Sequence, residues 1–159
     1  MPFKTCFGHI NVRGIHGNYT DQITVSKLDV LRAYIRTKHY AVVSVVDHKS
    51  TEDLFLDDDR RFRWIGNYCT TKQKRTRGTG LFVSRCYDAE EVRLKSQPQE
   101  STLVEVSIKK RTMLFASVYL PNEKSTNHAD IRGFAKFLKV LDKESPRWDE
   151  IHIAADSNA

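Results

Sequence analysis

No stretch of the 159-residue sequence approaches the roughly 20 consecutive apolar residues that a bilayer-crossing helix needs. The N-terminus lacks the charged start and long apolar core of a secretory signal. An intracellular protein, nuclear or cytoplasmic and with no membrane partner, is the expectation. Cysteine is scarce: Cys6, Cys69 and Cys86 form an odd set without C-x-x-C spacing, which argues against both a disulfide framework and a thiolate zinc site. Internal repeats, low-complexity tracts and an interdomain linker are all missing, so 1–159 reads as one domain or part of one. No helix follows Gly78 and Gly80, so they make no phosphate-cradling fingerprint. They are expected to permit a bend or a close approach of strands.

What is present is ordinary for a globular chain, with 40% apolar and 29% charged residues. The net charge of +6 favours an anionic partner, nucleic acid first among them. Much of that charge falls in one polar loop, where Lys72, Lys74, Arg75 and Arg77 could track phosphates. A solvated loop carrying charge for solubility is the blander reading of the same run. Lys109-Lys110-Arg111 reads as a solvated turn.

Phe3 to Val12 reads as a first, buried strand that breaks at Asn11-Val12-Arg13-Gly14. Val25, Leu28, Leu31 and Ile35 then recur at helical spacing, with Thr24 or Ser26 as cap. Tyr40 to Val46 is apolar without alternation, as in a strand covered on both faces, and ends at Asp47. Strand, helix, strand is the opening of an α/β unit, whose ligands gather at the carboxyl ends of strands. Phe62 to Ile65 and Leu81 to Val83 are shorter strands. Leu103 to Ile108 and Met113 to Leu120 form a hairpin closed by Pro121-Asn122. Ile131, Phe134, Ala135, Leu138 and Leu141 mark the inner face of a second helix, capped by Thr126 or Asn127 and followed by Pro146. Trp64 and Trp148 are expected to pack, and the six histidines to be structural or surface residues.

The final apolar run, Ile151 to Ala155, ends in Asp156-Ser157-Asn158. In extended geometry that carboxylate and carboxamide point the same way. Taken alone the pair is an ordinary turn. Together with Asn11, Asp47 and Tyr119 with Asn122, each ending a strand, it suggests a rim of hard oxygen donors suited to Mg²⁺.

These residues carry a resemblance. I-N-V-R-G, an apolar strand ending in an acid plus Lys, F-R-W-I-G, R-G-T-G-L-F-V, S-V-Y-L-P-N and A-A-D-S-N-A occur in an order that resembles the endonuclease/exonuclease/phosphatase superfamily. More narrowly, they resemble the apurinic-like endonuclease domains of non-LTR (LINE-type) retrotransposons. The likeness implies a layered α/β sandwich, two β-sheets flanked by helices, and Mg²⁺- or Mn²⁺-dependent nicking of DNA (or RNA) that leaves a 3′-hydroxyl primer for an associated reverse transcriptase. It implies metal ligation by Asn11 and Asp47, contact of Tyr119 with the scissile phosphate, activation of water by Asp156 and assistance by Asn158. Arg13, Asn122 and the basic loop would contact the nucleic acid.

Two departures matter. Asp47 stands where the family usually has the longer glutamate. The family's pattern also runs on to a closing Ser-Asp-His with no counterpart here. The chain is therefore expected to be the N-terminal portion of such a domain, inactive alone, with an open sheet face covered by the remaining half or by another chain. A non-catalytic, domesticated fragment that binds nucleic acid or scaffolds an assembly is the alternative. A phosphatase acting on small phosphoesters is a third reading.

Overall fold

The computed structural model describes residues 5–14, 26–50, 60–67, 78–120 and 129–156. Eight strands and two helices occur there in the order β1 (Cys6–Asn11), α1 (Lys27–Thr37), β2 (Tyr40–Val46), β3 (Phe62–Gly66), β4 (Thr79–Ser84), β5 (Asp88–Val92), β6 (Ser101–Ile108), β7 (Arg111–Tyr119), α2 (Ala129–Glu144) and β8 (Glu150–Asp156). The strands form two four-stranded sheets, ordered β1-β2-β4-β3 and β5-β6-β7-β8. Each sheet is mixed: one parallel pair (β1 with β2, β7 with β8) is extended by antiparallel neighbours. Both parallel pairs are joined through a helix, since a parallel return needs a crossover.

Alternation along the strands sorts the side chains into layers. Val43, Val45 and Phe82 pack with Leu31 and Ile35 of α1 on the outside of the first sheet. Val42, Leu81, Val104, Val106 and Phe115 fill the space between the sheets. Leu103, Leu114, Ala116 and Val118 meet Phe137 and Leu141 of α2 on the far side. The result is a four-layer α/β sandwich, as expected. Two polar pairs cross the inner layer, Ser44 Oγ to Ser117 Oγ at 2.8 Å and Thr79 Oγ1 to Thr102 Oγ1 at 3.0 Å. Each satisfies buried hydroxyls.

Helix α1 starts where Ser26 accepts from the Asp29 amide at 3.1 Å, so Ser26 rather than Thr24 is the cap. Trp148 is buried and donates to Glu105 at 2.7 Å. Trp64 lies edge-on to His48 and tilted on Phe82. Both tryptophans pack. A Cβ on Gly80 would run into the Trp64 ring, which explains the glycine there.

Two expectations fail, and one strand carries no signal of its own. The inner face of α2 is centred on Phe134, Phe137 and Leu141, leaving Ala135 exposed and Leu138 38% exposed. The buried face lies about one residue out of phase with the expected one, because a helix this rich in apolar residues offers two overlapping stripes. No local pattern marks β5, because Asp88, Glu90 and Glu91 are poor strand formers and serve here on an exposed sheet edge. The first strand, expected to be buried, is instead the partly exposed edge strand β1, with Cys6 half-buried at its start, because it pairs on one side only, with β2.

Candidate functional site

Parallel pairing sets where the polar strand tips fall. Asn11 is in register with Val46, so the turn residues after β1 and Asp47 after β2 leave the first sheet at one end. The Gly14 amide donates to the Asp47 carbonyl at 2.7 Å across that end. In the second sheet Tyr119 is in register with Asp156, and the Leu120 amide donates to the Asp156 carbonyl at 2.8 Å. A side-chain hydrogen bond from the Asn11 carboxamide Nδ2 to Asp156 Oδ2 joins the two sheets at these tips. Asn11, Asp47, Tyr119 and Asp156 therefore share a single rim.

Local chemistry fixes each group. Asn11 Oδ1 accepts from the Arg13 amide at 2.9 Å, an Asx turn that orients the carboxamide so that its NH₂ faces Asp156. Arg13 itself is exposed in the left-handed region at φ 47°, its side chain open to solvent beside the rim. Asp47 also takes a left-handed φ of 58°, which Asp tolerates better than most residues. Its carboxylate is recessed, with Lys49 Nζ 3.8 Å from Oδ1. Tyr119 is 8% exposed and follows Phe115 and Ser117 on the inter-sheet face of β7. Asn158, Asn122, Lys72, Lys74, Arg75 and Arg77 lie outside the described residues.

Three further groups stand at or beside the rim. His9 lies two residues before Asn11, hence on the same face of β1, and its Nδ1 is 3.1 Å from Ser44 Oγ. Ser117 donates to the Val45 carbonyl and Ser44 donates to Ser117, so Ser44 is left to accept. His9 must then carry its proton on Nδ1 and present Nε2 as the lone-pair nitrogen. Burial pushes the His9 pKa below its ordinary value, while the Asp156 carboxylate pulls it back up. His48, fully buried, donates from Nε2 to the Asn67 carbonyl at 2.9 Å and accepts the Ser50 amide on Nδ1 at 2.9 Å. It clamps the segment that follows Asp47. Lys49 sets the charge beside Asp47. Period-two spacing from Asn11 was the available signal for His9; nothing in the sequence distinguished His48.

The donor set is two carboxylates and a carboxamide oxygen. Among the described residues no three His, Cys, Asp or Glu side chains gather closely enough to hold a metal ion. Carboxylate and carboxamide oxygens are donors of the kind a hard cation takes.

Edge strands β1 and β8 stand on the same side of the sandwich, Phe7 lying 4.8 Å from both Phe115 and His152. A cavity of about 340 Å³ opens there between the sheets, lined by Phe7, Ser44, Phe115, His152 and Ala154 among others. Phe7 and Ile153 are 36% and 41% exposed along these edges.

No protein-family profile matches the sequence, and no curated protein matches it. Solved structures do. The endonuclease domain of TRAS1, a telomere-specific non-LTR retrotransposon, is 13% identical with a TM-score of 0.63, covering 95% of this chain and 57% of its own. The human Nocturnin catalytic domain with a bound sulfate anion is 12% identical with a TM-score of 0.58, covering 94% and 62%. D. rerio TDP2 humanised by 14 mutations is 14% identical with a TM-score of 0.53, covering 95% and 61%. The chain thus spans about three fifths of the length of these domains. It has a fold of the endonuclease/exonuclease/phosphatase type.

Proposed function

We propose that this rim hydrolyses phosphodiesters, nicking DNA in the manner of a LINE-type endonuclease when the rest of such a domain is in place. The observation that supports it best is the Asn11–Asp156 hydrogen bond, which ties the polar tips of two sheets together beside Asp47 and Tyr119. In this reading Asp156 takes the proton of the attacking water, with Asn11 orienting the carboxylate. Tyr119 hydrogen-bonds the scissile phosphate, and Arg13 holds the flanking backbone. Asn11 and Asp47 would hold Mg²⁺ or Mn²⁺, and such an ion supplies neutralisation of the phosphate's charge. Asn158, Asn122 and Lys72, Lys74, Arg75 and Arg77 are assigned to phosphate and backbone contact from sequence alone. The partner on the open β1/β8 side is the remainder of the fold, whether from the same polypeptide or another.

The test is nicking of supercoiled plasmid by the full-length protein in Mg²⁺. Asp156→Ala removes the proton acceptor, so the rate should fall by about 10²–10⁴ while DNA affinity is retained. Nicking at the wild-type rate would refute the assignment. One observation favours a second, non-catalytic reading: the Asp47 carboxylate is recessed and faces Lys49, as in a structural ion pair. That reading predicts salt-sensitive DNA binding with no divalent-dependent cleavage by the wild type.

A further inference from the structure

We propose that the outward face of α2 is a second nucleic-acid contact, a single-file row of cations that follows a phosphate backbone away from the rim. Arg132, Lys136, Lys139 and Lys143 are all exposed and follow one another at intervals of four, three and four residues. At roughly 100° per residue they fall within an arc of about 60°, spaced about 4.5–6 Å along the axis. A duplex strand advances about 3.4 Å per nucleotide, so successive cations meet successive or alternate phosphates of one strand.

The row lies opposite the packed side. Phe137 and Leu141 are buried against the second sheet, which turns the four cations directly outward. Glu144 is engaged by Arg147 at 3.4 Å, and the exposed Asp142 lies roughly 90° around the helix from the row. The row also has a direction. The Asp149 amide donates to the Thr112 carbonyl at 2.8 Å, fixing the end of the α2 connection at the hairpin end of β7. Because β8 runs parallel to β7, α2 must retrace the strand's length, and its first turn lies toward the rim. Arg132 is then the rim-side cation and Lys143 the distal one.

A linear polyanion fits better than an anionic membrane. A membrane-surface helix lays apolar residues beside its lysines. Here the apolar face is used by the sheet, and Leu138 lies roughly 130° from the row. The proposal takes only its ligand class from the nucleic-acid reading of the rim; it does not require cleavage.

Binding of a fluorescent DNA duplex is measured by anisotropy across a salt series in EDTA, so that hydrolysis plays no part. The triple variant K136E/K139E/K143E should bind at least tenfold more weakly at low salt. Its plot of log affinity against log salt should be shallower by about 2–3, from a slope of about 0.9 per phosphate contact. K136R/K139R/K143R should bind as the wild type does. An unchanged affinity and slope in the charge-reversed variant, with an unchanged circular dichroism spectrum, would overturn the proposal. So would a wild type that ignores DNA, or that instead binds phosphatidylserine vesicles. A failure of the nuclease reading shows in nicking, and a failure of the row shows in anisotropy.

Discussion

Gly78→Ala should be among the most damaging single-methyl changes in this chain, and its cost is separable into two parts. Gly78 sits at φ 80°, a conformation that costs an L-residue about 1–2 kcal/mol. A Cβ there would also collide with the His48 ring, reaching Nδ1 at 2.8 Å and the Cε1–Nε2 edge more closely still. The ring cannot swing aside cheaply. It is wholly buried, and both of its nitrogens are used, by the Asn67 carbonyl and the Ser50 amide. Forcing a methyl into such packing costs about 1–3 kcal/mol more. The sum of about 2–5 kcal/mol is a large share of a total near 5–15 kcal/mol, and Tm should fall by roughly 4–20 °C. His48→Ala removes the obstacle but not the backbone strain. In that background Gly78→Ala should cost only about 1–2 kcal/mol, a coupling of about 1–3 kcal/mol in the double-mutant cycle. Guanidinium unfolding followed by tryptophan fluorescence reads all four corners. Equal costs in both backgrounds, or a cost below about 1 kcal/mol in the wild type, would show that the ring does not define this site.

Two further outcomes follow from the backbone and from the rim. The β6–β7 hairpin turns on Lys109 and Lys110 at φ 51° and 64°, a two-residue turn that favours Asn-Gly. Lys110→Gly should relieve strain beyond the entropy that glycine adds to the unfolded chain, gaining about 0.5–1 kcal/mol; a loss in a melting experiment would mean that the lysine side chain holds the turn. His9 should titrate below 6.5 by proton NMR, since burial opposes its charge. Asp156→Asn, by removing the carboxylate that raises it, should lower it further. Because the folded state resists the proton that the unfolded state accepts, this group destabilises the fold as pH drops through 6.5 toward the folded value, and His9→Gln should flatten that part of the profile. An His9 pKa unmoved by Asp156→Asn would separate the two groups.

The layers were legible because burial leaves a period. Tyr40–Val46 has six buried residues out of seven, and its unbroken apolar run could mean little else than a strand with packing on both faces. The hairpin was legible for the converse reason, two apolar runs broken only by cations. What escaped were features whose signal is borrowed from partners. Strand β5 is a strand only because β6 offers it a ladder. The phase of α2 is decided by which of two apolar stripes the second sheet accepts, and Phe137 wins because it can be wholly buried there.

The rim shows the same division more sharply. That several strands end in Asn, Asp or Tyr is visible in the chain; that they end together is a property of pairing direction. Had β1 and β2 paired antiparallel, Asn11 and Asp47 would lie at opposite ends of the sheet. The crossover helices rule that out, since strand, helix, strand within one sheet returns parallel. The same holds for Tyr119 and Asp156 across α2. Two parallel pairs thus deliver two acids, an amide and a phenol to the carboxyl ends of their sheets, and the Asn11–Asp156 bond joins residues 145 apart. Side chains such as His9 and His48 then take their roles from what the pairing brings near them. Their identity as ring nitrogens with fixed donors and acceptors is a tertiary fact that no local pattern encodes.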